Sequence, residues 1–151
     1  MANMDLTPGE LKILIDGLSD EVAFNWVLQH LGIRPNTPQR DWVPTNSDMQ
    51  DAFASLRKLT ERSLICVGRT QYVAGGPPRR KAPYKHVAED LEVVLSRVEA
   101  AVRSARVPAD ERIDQAVFVA RQLEWHFSCW VVNTDQGNLV ARQAIDREKD
   151  E

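Results

Sequence analysis

The sequence predicts a mostly α-helical protein with a small β-hairpin, and three observations carry that expectation. Segments near residues 7–17, 19–32 and 47–62 place apolar side chains at helical spacing between a capping residue and a stop signal. The period changes at Leu64, where a run rich in β-branched and aromatic side chains begins. Beyond residue 88 two long helical stripes return.

The elements follow in order. Thr7-Pro8-Gly9-Glu10 is a capping box with proline at the first helical position; Leu11, Ile13, Leu14 and Ile15 follow, and Gly17 ends the run. A second helix starts near Ser19 or Asp20. Val22, Ala23, Trp26, Val27, His30 and Leu31 give its spacing, and Gly32 stops it. Residues 33–46 hold three prolines and two asparagines, so they form a loop, with Trp42 pinning a turn. Ser47-Asp48-Met49-Gln50 reads as a second capping box for a helix that reaches about Arg62 and buries Met49, Ala52, Phe53, Leu56 and Leu59.

Leu64–Val73 reads as a strand, Ala74–Lys81 as a glycine-, proline- and cation-rich turn, and Pro83–Val87 as a return strand. Pro83 suits an edge. A fourth helix covers about Ala88–Arg106. After Pro108, Asp110 and Glu111 open a fifth, whose stripe is Ile113, Ala116, Val117, Ala120, Leu123, Phe127, Trp130 and Val131. Residues 131–142 are an alternative hairpin, but the continuous stripe favours the helix. Asn133–Gly137 is a turn, Leu139–Ile145 a last short helix, and Asp146–Glu151 a charged, frayed tail.

At 151 residues and 17.1 kDa the chain has the length of one domain, or of a smaller domain with a helical appendage. Such a length buries roughly two-thirds of the unfolded surface, so no metal or disulfide is needed for folding. Two cysteines, Cys66 and Cys129, cannot build a disulfide framework, and a reducing, cytoplasmic setting is the expectation. No apolar run reaches the ~20 residues of a membrane span, and Met1–Asp5 lacks the basic and apolar regions of a signal peptide. No membrane partner is expected.

Charge is unevenly placed. The net charge is −3, but residues 1–56 balance to −5, residues 57–106 to +6 and residues 107–151 to −4. One third of the chain can therefore carry a local positive field on an acidic protein.

The order helix, helix, helix, strand, basic turn, strand resembles the winged helix-turn-helix family over about residues 7–87. The matching residues are Leu56 and Leu59 followed by Glu61-Arg62-Ser63-Leu64-Ile65, with serine where the family usually has glycine. The resemblance implies a winged-helix-like domain over residues 5–87 and a helical extension over 88–145. It also implies a small DNA-binding regulator. Its third helix would offer Gln50, Ser55, Arg57, Lys58 and Arg62, and its wing Arg69, Arg79, Arg80, Lys81 and Lys85. Asp48 and Asp51 in the first turn of that helix, and the long 33–46 loop, argue instead for a protein-interaction module, such as a phage or bacterial accessory protein that binds a host protein.

No enzyme motif and no cofactor signature is present. Gly75-Gly76-Pro77-Pro78 lacks the lysine and following helix of a phosphate loop. His126 and Cys129 are three apart, with Cys66 and His86 on the hairpin, but no four-ligand zinc spacing exists. Leu91, Val94, Val98 and Ala105 with Trp125 are candidates for an interface, either a helical hairpin within the chain or a homodimer.

Overall fold

The computed structural model describes residues 5–35, 42–72, 84–106 and 115–150. Thr7 caps α1 (Pro8–Asp16). Its hydroxyl accepts from the Glu10 N–H at 3.1 Å, and Glu10 Oε1 accepts from the Thr7 N–H at 2.9 Å, which closes the expected box. The second helix starts later than its spacing suggests. Val22 and Ala23 form a short strand, β1, and α2 spans Phe24–His30. Phe24, Val27 and Leu28 are buried, whereas Trp26 is 51% exposed. α3 spans Asn46–Glu61, and its capping box is Thr45 with Asp48 rather than Ser47 with Gln50. Starting two residues earlier leaves the predicted buried face unchanged: Met49, Ala52, Phe53, Leu56 and Leu59.

Both α2 and α3 end in the same backbone motif. The N–H groups of Gly32 and Ile33 bond back to the carbonyls of Gln29 and Leu28, and those of Ser63 and Leu64 to Thr60 and Leu59, all at 2.9–3.0 Å. That motif needs a left-handed residue. Gly32 supplies it at φ +83°, but the second site forces Ser63 to φ +58°. The Ser63 and Leu64 carbonyls are then held by Thr134, which donates its hydroxyl to Ser63 at 2.6 Å and its N–H to Leu64 at 3.0 Å.

Among the described residues the sheet has four strands in the order β1-β4-β2-β3, all antiparallel. β2 (Ile65–Tyr72) and β3 (Tyr84–Ala88) are the predicted hairpin arms, pairing from Gly68↔Ala88 to Tyr72↔Tyr84. β4 (Trp130–Asn133) lies between β1 and β2. Val131 sits opposite Val22 on one side and Val67 on the other, and all three are buried. In the next row Trp130 lies between Ala23 and Gly68, small neighbours that leave room for the indole.

Three expectations for the later elements are corrected here. The fifth helix does not continue through Trp130 and Val131; α5 spans Gln115–His126, because Trp130-Val131-Val132 finds two strand partners. Nor does that segment form a local hairpin. The last helix, α6, is longer than Leu139–Ile145: it spans Asp135–Asp150, through most of the segment expected to fray. Thr134 caps it by accepting the Gly137 N–H at 3.0 Å.

α4 spans Leu91–Ala105 and packs on α5, while α1 packs on α6. One apolar cluster runs from Ile13 to Ala141, and β4, from the segment expected to be a helical extension, completes the sheet of the preceding segment. No helix among the described residues is long and apolar enough to cross a membrane.

Two substitutions test the junction between α3 and α6. Ser63→Gly relieves the left-handed strain and raises stability by about 0.5–1 kcal/mol in a urea melt. A Cβ added at Gly137 would overlap the Leu64 carbonyl, so Gly137→Ala lowers stability by about 1–3 kcal/mol in the same assay.

Candidate nucleic-acid interface

The residues expected to face a partner from α3 are largely turned to internal use. Glu10 on α1 is 2% exposed. Its carboxylate accepts from the Ser55 hydroxyl at 2.8 Å and from Lys58 Nζ at 2.8 Å, in addition to the Thr7 N–H. Lys58 also donates to the Asp5 carbonyl at 2.6 Å. Burial pushes the Glu10 carboxyl upward, but the hydrogen bonds from Lys58, Thr7 and Ser55 outweigh it and hold the group below its ordinary value. Ser55 and Lys58 thus pin α3 to α1.

Arg57 makes a bidentate pair with Glu92 of α4, Nε to Oε2 at 2.9 Å and Nη2 to Oε1 at 2.8 Å. Both side chains remain well exposed, at 41% and 61%, so a phosphate can compete for this guanidinium at small cost. Arg62 is half-buried, and its Nη1 has no hydrogen-bond partner among the described residues. Gln50 is exposed, but so are Asp51 and Glu61. The outward surface of α3 is therefore not cationic.

The hairpin carries the positive charge that α3 lacks. Arg69 pairs with Val87 and Gln71 with Lys85, so Arg69 and Lys85 share one face, and both are exposed. Two residues before Arg69, the same face of β2 buries Val67. The sheet runs out beyond the core, and its inner face changes there from apolar to basic. Arg79, Arg80, Lys81 and the Gly75–Pro78 turn lie outside the described residues. The base of the hairpin is braced by Arg97. It holds Glu89 through two hydrogen bonds at 2.8 and 3.0 Å and the Ser128 carbonyl at 3.0 Å. Hydrogen bonding by Arg97 keeps the Glu89 carboxyl below its ordinary value, and Arg69 adds to the effect by charge.

The interface candidates on α4 and α5 are core. Val94, Val98, Ala105 and Trp125 are at most 2% exposed, and Leu91 is half-buried against the same cluster. Trp125 donates Nε1–H to Gln122 at 2.9 Å and meets Phe24 and Trp42 edge-on at 6.4 and 6.1 Å. Trp42 thus ties the chain just before α3 to the core, while residues 36–41 of the expected loop lie outside the described residues. The predicted stripe of α5 faces the opposite way: Val117, Leu123 and Phe127 are 42–48% exposed.

Of the reactive side chains, Cys129 is fully buried, and burial pushes its thiol up to about 12. Cys66 is exposed. Burial lowers His126, which lies edge-on to Trp125 at 4.3 Å. His86 Nε2 is 3.1 Å from the Trp130 carbonyl. No group of three or more metal-ligating side chains is assembled among the described residues. A cleft of about 500 Å³ lies between α1 and α2, lined by Lys12, Ile15, Asp16, Glu21, Trp26 and His30. His30 Nε2 and Asp16 pair across it at 2.9 Å. Sequence reasoning missed this cleft because Trp26 fits an apolar spacing, whereas α2 starts only at Phe24 and buries Phe24, Val27 and Leu28, leaving the indole outside.

Two measurements check these assignments. A thiol reagent applied to the native protein labels Cys66 rapidly and Cys129 only after unfolding. Glu10 has a folded-state value lowered from 4.5, so its contribution is complete above pH 4.5 and is lost as pH falls through the lower folded value. Glu10→Gln accordingly costs about 2 kcal/mol at pH 7 and flattens the acid limb of a melting-temperature profile.

Neither protein-family models, nor curated proteins, nor solved structures give a match to this chain.

Proposed function

We propose that residues 7–87 form a winged helix-turn-helix and that the protein is a small DNA-binding regulator that meets duplex DNA chiefly through the β2–β3 hairpin. The observation that carries this reading is the shared exposed face of Arg69 and Lys85. These two cations flank, in sequence, the connection that holds Arg79, Arg80 and Lys81. Five cations on one hairpin suit a run of phosphates, because each contact releases a condensed counterion. The chain order α1, α2, α3, β2, β3 supports the fold assignment, and so does the left-handed Ser63 where the family usually has glycine.

The division of labour differs from the one the resemblance implies. Lys58 and Ser55 serve Glu10, so on α3 the exposed groups left to reach bases or phosphates are Gln50 and the exchangeable Arg57. Backbone contact by the hairpin dominates, and base reading is slight.

A second reading has its own support. The exposed Asp51 and Glu61 on α3 repel phosphate, which favours a protein partner at that helix.

Titration of a labelled random duplex at low and moderate salt separates the two. Under the first reading, micromolar binding weakens steeply as salt rises. Replacing Arg69 and Lys85 together with alanine weakens binding and makes the log–log salt slope shallower by about 2. Absence of salt-dependent binding at micromolar protein overturns the DNA reading and leaves the protein partner.

A further inference from the structure

The cleft between α1 and α2 combines groups that suit one kind of ligand. Its wall brings together the Asp16 and Glu21 carboxylates, the Lys12 ammonium, His30, Ile15 and the half-exposed indole of Trp26. Two carboxylates against one ammonium leave a balance of −1 with His30 neutral. Those carboxylates are not fully spent on the protein. Asp16 meets His30 through Oδ2 and stays 45% exposed. Glu21 accepts from the Thr70 hydroxyl through Oε2 at 3.1 Å, but its Oε1 is shut from solvent and has no hydrogen-bond partner among the described residues. A carboxylate oxygen in that position lacks both a donor and a compensating charge. The indole supplies the complementary feature, because its face attracts cations.

We propose that this cleft binds the guanidinium of an arginine carried on a peptide segment of a partner protein. A guanidinium is planar and presents five N–H donors, so it can stack on the indole and donate to carboxylates from its edge at the same time. An ammonium serves the carboxylates but has no flat face, and a quaternary ammonium suits the indole but has no N–H for Asp16 or Glu21. The last torsion of a glutamate is broad, so the Glu21 carboxylate can turn Oε1 toward such a donor. Size points to an arginine held in a peptide. The cleft, at about 500 Å³, has room for the aliphatic stem and the adjoining backbone as well as the head group. Lys12 then has a use. It precedes Asp16 by one turn of α1, about 6 Å along the axis, which is close to the reach of an arginine side chain from its own backbone. Its ammonium can donate to a peptide carbonyl while the guanidinium meets Asp16 and Glu21. The site stands apart from DNA binding, since no hairpin cation is among the described residues that line it.

Titration of the full chain with a capped Gly-Arg-Gly tripeptide, followed by the tryptophan indole N–H signals in two-dimensional NMR, tests the proposal. The Trp26 signal is identified by its loss in Trp26→Phe. It is expected to shift and saturate with a dissociation constant of about 1 mM, as suits so small a ligand. The same tripeptide with lysine, or with the uncharged arginine isostere citrulline, binds about 5-fold more weakly or worse. Trp26→Ala weakens arginine binding by about 3–10-fold, and Asp16→Asn and Glu21→Gln each by about 10-fold. Trp26 and Asp16 are exposed, so their variants keep a melting temperature near wild type, which separates lost binding from lost folding even if Glu21→Gln releases Thr70. No saturable shift of the Trp26 signal up to about 20 mM peptide overturns the proposal, as does equal binding of the lysine or citrulline peptide. Binding indifferent to both Trp26→Ala and Asp16→Asn overturns it too. Free L-arginine binding more tightly than the capped peptide overturns the assignment to a protein partner. The duplex titration is read separately, so a chain that binds DNA and ignores the tripeptide sinks this inference alone.

Discussion

The position of β4 between β1 and β2 is the constraint on which the rest of the fold depends. Its backbone satisfies both neighbours, and Val131 closes a buried row from Val22 to Val67. Without it, β1 would be a two-residue strand with no partner, and a strand that short has no independent stability. The same strand sets the two ends of the later chain. At its start, Ser128 supplies the carbonyl that Arg97 holds. At its end, Asn133 donates to the Leu14 carbonyl at 2.7 Å, and Thr134 locks onto the left-handed turn after α3. A late segment therefore fixes α1, α3 and α4 at once.

That arrangement decides how the cations are used. α3 is clamped from both sides, by Glu10 of α1 through Ser55 and Lys58, and by Glu92 of α4 through Arg57. The two clamps are unequal. Glu10 is buried and accepts three hydrogen bonds, so its loss strands a charge. Glu92 and Arg57 face solvent, where a pair contributes little and exchanges partners easily. On the hairpin, by contrast, Arg69 and Lys85 stay exposed on one face of the sheet.

Local chemistry made much of this legible in the sequence. The Thr7 box, the stop at Gly32, the buried face of α3 and the change of period at Leu64 each depend on residues within a few positions. Ser63 follows a helix C-terminus, where a left-handed residue closes the turn, and its φ of +58° is the conformation that glycine adopts more cheaply. The misses share a different cause. Val22-Ala23 and Trp130-Val131 carry helical spacing yet become strands, because each supplies the other's pairing partner more than a hundred residues away. Register between distant segments leaves no local mark. The same blindness reversed the faces of α5: its longest apolar stripe looks like core, but Trp125, which falls off the stripe, is the side chain that α4 and α2 leave room to bury.

That reversal shapes what the surface can do. A helix with apolar residues on both sides has one face more than a single core can use. The core takes the face with the larger indole, and the remaining stripe, rich in alanine, stays outside. Scattered exposed apolar side chains are ordinary, but a contiguous row on one helix is not.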